Sequence, residues 1–374
     1  MHTSLIKTIL FICCLTLVVS ACSSLTTIMP QMQFSRNEGT IDCSNVLYDC
    51  QIVNFRTSGT ESILGNIARL LVSRDRYYVL DSKEKKVVSF DKNGCFERST
   101  EQLMGRGAGE YSSIMDATWD NSDKKVYLLC DVPHQIMILN EDLSLNKCVA
   151  LEFLANEICV MDDYIYITRT NKDKIEVLSC RKDDIGKFRS LYSVEDIPGL
   201  CGKGKSMNRS GNLCYVCLPF DNRVLFLNDG GIEKMIELNI DGWYENRNSA
   251  KNGPREFMET HNGESWIVQN ICASDSIILF NTNLPNIYVG NMNLMKGVVR
   301  QILPISFPIV ESEILPAQEG KKYLYAYCIP AESIVRYKEI CKERGIKIKN
   351  ESAKELIESY DANKNPLVVI AEIK

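Results

Sequence analysis

The sequence predicts an all-β fold, a six-bladed β-propeller with a short helical insertion in the last blade. Two observations carry this prediction: short apolar strands recur in pairs joined by polar turns, and strand-like segments stand at both ends of the body. The first strand of each pair aligns at intervals of 39 to 63 residues, on Tyr78, Tyr127, Tyr166, Tyr215, Ile278 and Tyr325. Four-stranded propeller blades recur at about 40–50 residues.

The N-terminus reads as a targeting segment. Lys7 precedes an apolar run, residues 8–19, that is too short to cross a bilayer comfortably. The run ends in Val19-Ser20-Ala21-Cys22. Small residues before a cysteine are typical of a site at which a lipoprotein signal peptidase cleaves and the cysteine sulfur is acylated. Residues 1–21 are therefore predicted to be a lipoprotein signal peptide, and an ordinary secretory signal cleaved near Ala21 is the alternative.

Cys22 is then the lipidated first residue of the mature chain, and residues 22–42 are predicted to be a tether. The membrane is the predicted partner of this end, because multiple acyl chains anchor a protein stably. Ser23-Ser24-Leu25-Thr26 follows Cys22 in place of an acidic cluster, so export to the cell surface is not indicated. The expected location is the bacterial cell envelope, at the outer membrane facing the periplasm.

The composition restricts the kinds of partner and of metal site that can be expected. The net charge is −5 and no basic block is present, which excludes nucleic acid as the expected partner. The chain has 16 cysteines, and those of the body are scattered through apolar strand-like runs, where cysteine behaves as a small core residue. Cys214 and Cys217 resemble half a zinc site, but positions three apart on a strand face opposite ways. No cofactor is predicted.

The body, residues 43–374, is assigned to the propeller. Its clearest hairpin is VLDSKEKKVVSFDKNG, residues 79–94, which ends in the Asn93-Gly94 turn signal. Residues 46–56 and 367–374 read as strands at the two ends of the body. Both can belong to the last blade, which closes the ring and removes exposed sheet faces.

One segment breaks the strand pattern. Residues 333–362 are rich in Glu, Lys and Ile at helical spacing, with a break between Gly345 and Asn350. They are predicted to form two short helices inserted in the last blade. A solvated excursion, a cap on one face and a surface for a signalling partner remain as alternative roles.

The stretch GRGAGEY, residues 105–111, and the stretch NGPREF, residues 252–257, look like two copies of one motif. A tryptophan follows each copy, and each precedes the first strand of a new blade. This favours a blade-junction turn, in which glycines adopt positive φ, Glu110 or Glu256 accepts backbone N–H bonds and the aromatic residue wedges between blades. A phosphate loop requires a following helix, whereas a strand is predicted at 115–120. A ligand loop carrying Arg106, Glu110 and Tyr111 is the other alternative.

These features together resemble the six-bladed β-propeller lipoproteins common in Bacteroidetes. The resemblance rests on the lipobox at Cys22, the hairpin at 79–94, GRGAGEY, and the ending NKNPLVVIAEIK, residues 363–374. The family typically has Gly-x-Gly-Pro-Gly-Glu-Tyr at the motif, so Ala108 departs from a proline. The resemblance implies the fold over nearly the whole mature chain. It implies no activity, because most members have none assigned.

Two functions from different classes remain open. The first is a non-catalytic platform that binds a small molecule or an envelope protein, with the candidate loop residues Arg106, Glu110, Tyr111, His134, Glu256 and His261. The second is a calcium-dependent hydrolase or lactonase with oxygen ligands in the central channel, for which Asp81, Asp131, Asn281 and Glu264 are residues of the right type. No spacing singles out a metal site, and neither His134 nor His261 lies in a catalytic motif.

Overall fold

The computed structural model describes residues 29–35, 46–48, 51–196, 204–244, 254–284, 286–300, 313–315, 317–319, 323–345, 351–360 and 363–374. The chain divides into two compact units, and the fold below is that of the second, Gln31–Lys374. The predicted signal segment 1–21, Cys22 and the first part of the predicted tether lie outside the described residues. No helix among the described residues has the length and apolar character needed to cross a membrane.

Short antiparallel strands build almost the whole fold. The chain begins with β1 (Gln31–Ser35) and β2 (Gln51–Asn54). The first group is β3 (Ile67–Val72), β4 (Arg76–Asp81), β5 (Lys86–Asp91) and β6 (Phe96–Ser99). The second is β7 (Ser113–Asp120), β8 (Lys125–Val132), β9 (Gln135–Asn140) and β10 (Leu145–Ala150). The third is β11 (Glu157–Met161), β12 (Tyr164–Asn171), β13 (Lys174–Arg181) and β14 (Arg189–Glu195).

The second half continues the pattern. The fourth group is β15 (Met207–Ser210), β16 (Leu213–Val216), β17 (Arg223–Asn228) and β18 (Gly231–Ile240). Helix α1 (Pro254–Thr260) precedes the fifth group, β19 (Val268–Ala273), β20 (Ile277–Thr282), β21 (Ile287–Asn291) and β22 (Lys296–Arg300). The remaining elements are β23 (Glu313–Leu315), β24 (Ala317–Glu319), β25 (Leu324–Ile329), α2 (Ala331–Arg344), α3 (Glu351–Glu358) and β26 (Leu367–Glu372).

The early strand β2 and the last strand β26 meet in one sheet, whose strand order is β2-β26-β25-β23. The early strand β2 pairs antiparallel with the last strand, Gln51 opposite Ile370. Strand β24 pairs parallel with β3 of the first group, Ala317 opposite Leu70. This closing sheet therefore lies against the group with which the series began.

The core is a series of apolar clusters, each shared by consecutive groups. One cluster joins the first and second groups, and others join the second to the third, the third to the fourth and the fourth to the fifth. Further clusters join the fifth group to the closing sheet and the closing sheet to the first group. The all-β, propeller-like fold predicted from the sequence is thus confirmed.

The six positions at which the strand pairs were aligned, five tyrosines and one isoleucine, occupy equivalent places in the groups. Each lies on the second strand of its group and is at most 3% exposed: Tyr78, Tyr127, Tyr166, Tyr215, Ile278 and Tyr325. Alternation along a strand with both faces packed explains why an apolar residue recurs there.

The buried tyrosines are expected to make the fold less stable at alkaline pH. Burial raises the pKa of Tyr78, Tyr111, Tyr127, Tyr166 and Tyr215. A group with a raised pKa in the folded state stabilises the fold below its unfolded pKa, about 10 for tyrosine, and loses that contribution as pH rises further. The melting temperature should therefore fall above a pH of about 10, together with the appearance of phenolate absorbance. Phenolate absorbance that rises while the melting temperature holds would contradict this account.

Most cysteines of the described residues lie in the core, whereas Cys95, Cys148 and Cys328 are half-buried. Cys130, Cys159 and Cys272 are buried as free thiols, and burial raises the pKa of Cys130 to about 12. Cys214 and Cys217 belong to different apolar clusters, which confirms that they face opposite sides of the strand. Thiols held protonated in this way are poor nucleophiles and poor metal ligands.

Part of the predicted tether is a strand. Residues 22–42 were expected to be a tether, but Gln31–Ser35 forms β1 and pairs parallel with both β18 and β22. Met32 and Phe34 are buried, and the Phe34 ring packs edge-on against Phe280 and Tyr288. The reason is apolar alternation within QMQFS, which lets a short segment cover the outer edges of two groups.

The helical insertion packs on the closing sheet. Ile334 of α2 and Ile357 of α3 are buried in the cluster shared with the fifth group, as is Tyr360. The helices are where the sequence predicted them, but a wholly solvated excursion does not describe these buried residues. Asn365 ends the insertion and binds the backbone of Leu64, Phe55 and Ser62 through its buried amide.

Candidate functional site

The GRGAGEY motif forms a turn between β6 and β7. The Glu110 carboxylate accepts a hydrogen bond from Gly107 N at 2.7 Å. The Tyr111 ring is buried between the first and second groups, with its hydroxyl 2.6 Å from Thr100 Oγ1. A strand, Ser113–Asp120, follows the motif. These contacts favour the junction role over a phosphate loop.

The glycines of the motif serve two different purposes. Only Gly109 has a positive φ, at 78°. Gly105 instead lies so close to the Glu110 carboxylate that a Cβ at this position would overlap it. The sequence prediction of positive φ throughout the motif is therefore correct for one glycine, whereas Gly105 and Gly107 give the carboxylate room.

The second copy has a different structure. PREFMET is helix α1, so the expected turn at 252–257 is wrong for the part that the structure describes. The Glu256 side chain is exposed. Phe257 is buried against Phe220, Tyr244 and Trp266, so the aromatic residue alone keeps the wedge role. Proline at the first helical position explains the helix, because its fixed φ suits that position.

A matched pair of substitutions tests the role of the first copy. Glu110→Ala should lower the free energy of unfolding by about 1 kcal/mol, because it removes a hydrogen bond to the turn backbone. Arg106 is exposed, so Arg106→Ala should stay within about 0.5 kcal/mol of the wild type. Urea unfolding of both variants gives the measurement. A loss at Arg106 as large as that at Glu110 would show that the arginine also holds the turn.

The two body histidines have different surroundings. His134 is exposed in the turn between β8 and β9, with Nδ1 3.7 Å from Asp131 Oδ1. His261 is half-buried beside the rings of Tyr244 and Phe257, and its Nδ1 lies 3.3 Å from Glu264 Oε2. The Glu110 carbonyl accepts a hydrogen bond from the side chain of Gln135, so His134 lies near Glu110. Glu256 and His261 lie in another junction between groups.

The carboxylates and amide proposed for a calcium site lie in different groups. Asp81 is buried and accepts backbone N–H bonds from Gly65, Asn66, Lys83 and Glu84, so it shapes turns. Asp131 lies in the second group, while Asn281 and the loop residue Glu264 belong to the fifth. Among the described residues no group of three or more His, Cys, Asp or Glu could hold a metal ion.

Four charged residues and one asparagine, which the sequence analysis missed, lie together at the axis. The axial cluster consists of Arg69, Asp116, Glu157, Lys205 and Asn208, on or beside the inner strands of the first four groups. Arg69 is fully buried and binds Asp116 through Nε at 2.9 Å and Nη2 at 3.1 Å. Its Nη1 reaches Asn208 of the fourth group at 3.1 Å. The arginine therefore joins the first group to the second and to the fourth.

Every charge of the axial cluster has a partner. Asp116 also accepts from Ile158 N at 3.0 Å and lies 3.2 Å from the Lys205 ammonium. Glu157 accepts from the hydroxyl and N–H of Ser206 and from Met207 N. The two carboxylates and two cations balance, which buried charges require. Glu157 and Lys205 remain 12% and 16% exposed, so they are the part of the cluster that solvent reaches.

The inner strands begin at one end of the groups, here named the crossover face. Antiparallel alternation places the connections between groups, and the turns between second and third strands, at this same end. Three exposed apolar residues, Met104, Val132 and Leu154, lie in these connections and are here named together the apolar patch. Met104 pairs with Tyr111, Ser112 N binds the Val132 carbonyl, and Leu151 N binds the His134 carbonyl, so the three segments are neighbours.

The strand groups and the axial cluster define the class of protein: an all-β, propeller-like protein with a charge-balanced cluster at its centre. The chain belongs to the family described as domain of unknown function DUF4934, whose model matches residues 26–372. It is similar to a protein of Bacteroides fragilis that is provisionally described as exported, with 12% identity and a TM-score of 0.71. That match covers 92% of this chain and 99% of the other and shows the fold alone.

Weaker likenesses carry no argument about function. A streptogramin B lyase matches at 13% identity and a TM-score of 0.45, covering 75% of this chain and 83% of the lyase. BamB from Moraxella catarrhalis matches at 10% identity and a TM-score of 0.39, covering 75% of each chain. No curated protein matches this chain.

Proposed function

We propose that the protein is a lipid-anchored, six-bladed β-propeller of the bacterial envelope that binds a protein partner without catalysis. The anchor is the acylated Cys22, and the location is the outer membrane, facing the periplasm. The six blades are the five groups and the closing sheet. The family membership and the similarity to a protein provisionally described as exported support an envelope location.

The apolar patch is the observation that carries the binding role. Met104, Val132 and Leu154 are 38%, 49% and 39% exposed, although they lie in segments linked by backbone hydrogen bonds. Neighbouring exposed apolar side chains are typical of protein-binding surfaces, whereas single ones are ordinary. The exposed Arg106 and His134 stand beside the patch and supply polar contacts at its rim.

The axial cluster favours binding over hydrolysis. A metal-dependent hydrolase needs carboxylate oxygens that are free to bind the ion. At this axis the Asp116 and Glu157 oxygens already accept bonds from arginine, lysine and backbone donors. We therefore retain the binding platform as the proposed function.

Site-specific photo-crosslinking in living cells tests the patch. A photoreactive residue at Met104 or Leu154 should give a discrete adduct with one envelope protein. Leu294 offers a control, because it is exposed at 69% and lies in the turn between β21 and β22, at the end of the groups opposite the crossover face. The same adduct at Leu294, or no adduct at Met104 and Leu154, would refute the patch as the binding surface.

The anchor is tested separately. Wild-type protein should incorporate an acyl label and fractionate with membranes, whereas Cys22→Ala should do neither because the sulfur that carries the lipid is gone. Labelling that survives in the variant would place the lipid elsewhere, and a soluble wild-type protein would argue for an ordinary secretory signal.

A further inference from the structure

We propose that the hairpin turn between β21 and β22, with Leu294 at its tip, contacts the lipid bilayer that holds the N-terminal anchor. This inference rests on the proposed acylation of Cys22. It assigns a second, non-covalent membrane contact to the folded domain and thereby says which part of the domain faces the membrane.

The described chain enters the folded unit at β1, which lies next to β22. Strand β1 begins at Gln31, and Gln33 pairs with Lys296 at the start of β22. The Gln33 N–H also donates to the Met295 carbonyl at 3.1 Å. The residue that leads toward the lipid is therefore beside the β21–β22 turn.

Only a short length of chain separates the proposed lipid from this entry point. Nine residue steps separate Cys22 from Gln31. A fully extended chain of that length spans at most about 30 Å, and a flexible one spans less on average. The acylated end therefore holds the entry point close to the bilayer surface.

The turn itself presents an apolar side chain and a positive charge to solvent. Leu294 is 69% exposed, more than any other large apolar residue among those described. Lys296, two residues further on, is also exposed and carries the charge that anionic headgroups attract. The outward residues of the adjacent strand β1 are Gln31, Gln33 and Ser35, which carry no charge. The nearby Glu237 carboxylate accepts a hydrogen bond from the Gln31 amide at 2.9 Å, and Lys296 offsets its charge.

A single leucine is sufficient for this membrane contact, because the lipid anchor already holds the domain close to the bilayer. Once the lipid is inserted, contact of the turn with the bilayer is intramolecular and takes place at a high effective concentration. A leucine side chain at the interface and a nearby lysine then bias the domain toward one orientation. Leu145, exposed in the second group, has no such proximity and serves as the matched control.

Fluorescence quenching by brominated lipid tests the contact. The lipidated full-length protein, purified in detergent, is reconstituted into vesicles of phosphatidylethanolamine and phosphatidylglycerol that contain brominated phosphatidylcholine. Leu294→Trp and Leu145→Trp are compared with the wild type, whose own tryptophans give the background. We expect the added emission of Leu294→Trp to be largely quenched and that of Leu145→Trp to be retained. Replacing phosphatidylglycerol by phosphatidylcholine should weaken the quenching.

The outcomes separate this inference from the function on which it rests. If the wild type floats with vesicles but Leu294→Trp is quenched no more than Leu145→Trp, the membrane contact is wrong and the anchor stands. A shift of Leu294→Trp emission that depends on protein concentration and not on brominated lipid would show a contact between copies of the chain, and would also overturn the inference. If the wild type does not associate with vesicles or carry an acyl group, the anchor proposal itself fails.

Discussion

Arg69→Ala is expected to lower the free energy of unfolding by about 3–5 kcal/mol, because it breaks a buried ion pair and leaves its partner charge behind. Both Arg69 and Asp116 have fully buried side chains. The substitution removes both guanidinium bonds to Asp116 together with the bonds to Asn208 and the Met207 carbonyl. Urea unfolding, followed by circular dichroism, gives the measurement.

Two further variants make the result specific. Arg76→Ala breaks a surface pair, Arg76 Nε to Glu97 Oε2 at 2.6 Å, whose side chains are about one-third exposed, so it should cost at most about 1 kcal/mol. Arg69→Lys keeps the charge but loses the planar two-point contact with Asp116, and should fall between the wild type and Arg69→Ala. A loss at Arg69→Ala no larger than that at Arg76→Ala would show that the axial cluster does not hold the groups together.

Phe34→Ala is expected to lower the free energy of unfolding by about 3–5 kcal/mol, the cost of emptying a large aromatic site in a core. The Phe34 ring is 5% exposed and packs against Phe280, Tyr288 and the backbone of Gly297. A Cβ at Gly297 would overlap this ring, so the glycine makes the socket into which the ring fits. Thermal and urea unfolding of the mature chain check the loss.

Gln33→Ala is the control for this result. Gln33 lies on the same strand but is exposed, so its replacement should stay within about 0.5 kcal/mol of the wild type. The pair also decides between the two interpretations of residues 31–35. A tether tolerates either substitution equally, whereas the inserted strand distinguishes the buried residue from its exposed neighbour.

Local alternation was sufficient to predict the strands and their repeat. The recurring Tyr and Ile positions lie on equivalent second strands because a strand packed on both faces requires apolar residues at each register point. The same reasoning predicted opposite faces for Cys214 and Cys217, which the structure confirms. GRGAGEY was recognised as a turn from the strand that follows it.

The site was harder to predict, because its residues are far apart in the chain. Arg69 lies 47 residues from Asp116 and 139 from Asn208, so no local spacing joins them. One signal was present: Arg69 stands inside the apolar strand IARLLV, where a charge is costly unless it is paired. Asp81 and Glu264, which the sequence offered as channel candidates, make local contacts, because carboxylates beside strand ends also cap turns and pair with nearby groups.

The sequence alone determined the all-β class, the repeat, the faces of the strands and the positions of the inserted helices, because each follows from the period of apolar residues along the chain. Only the tertiary structure showed that Arg69 binds Asp116 and Asn208 at the axis, and that β1 lies between β18 and β22. The physical reason is the ring of packed groups. The ring brings charges and strand edges together from distant parts of the chain. Buried charges there must be paired, and buried backbone groups must be hydrogen-bonded.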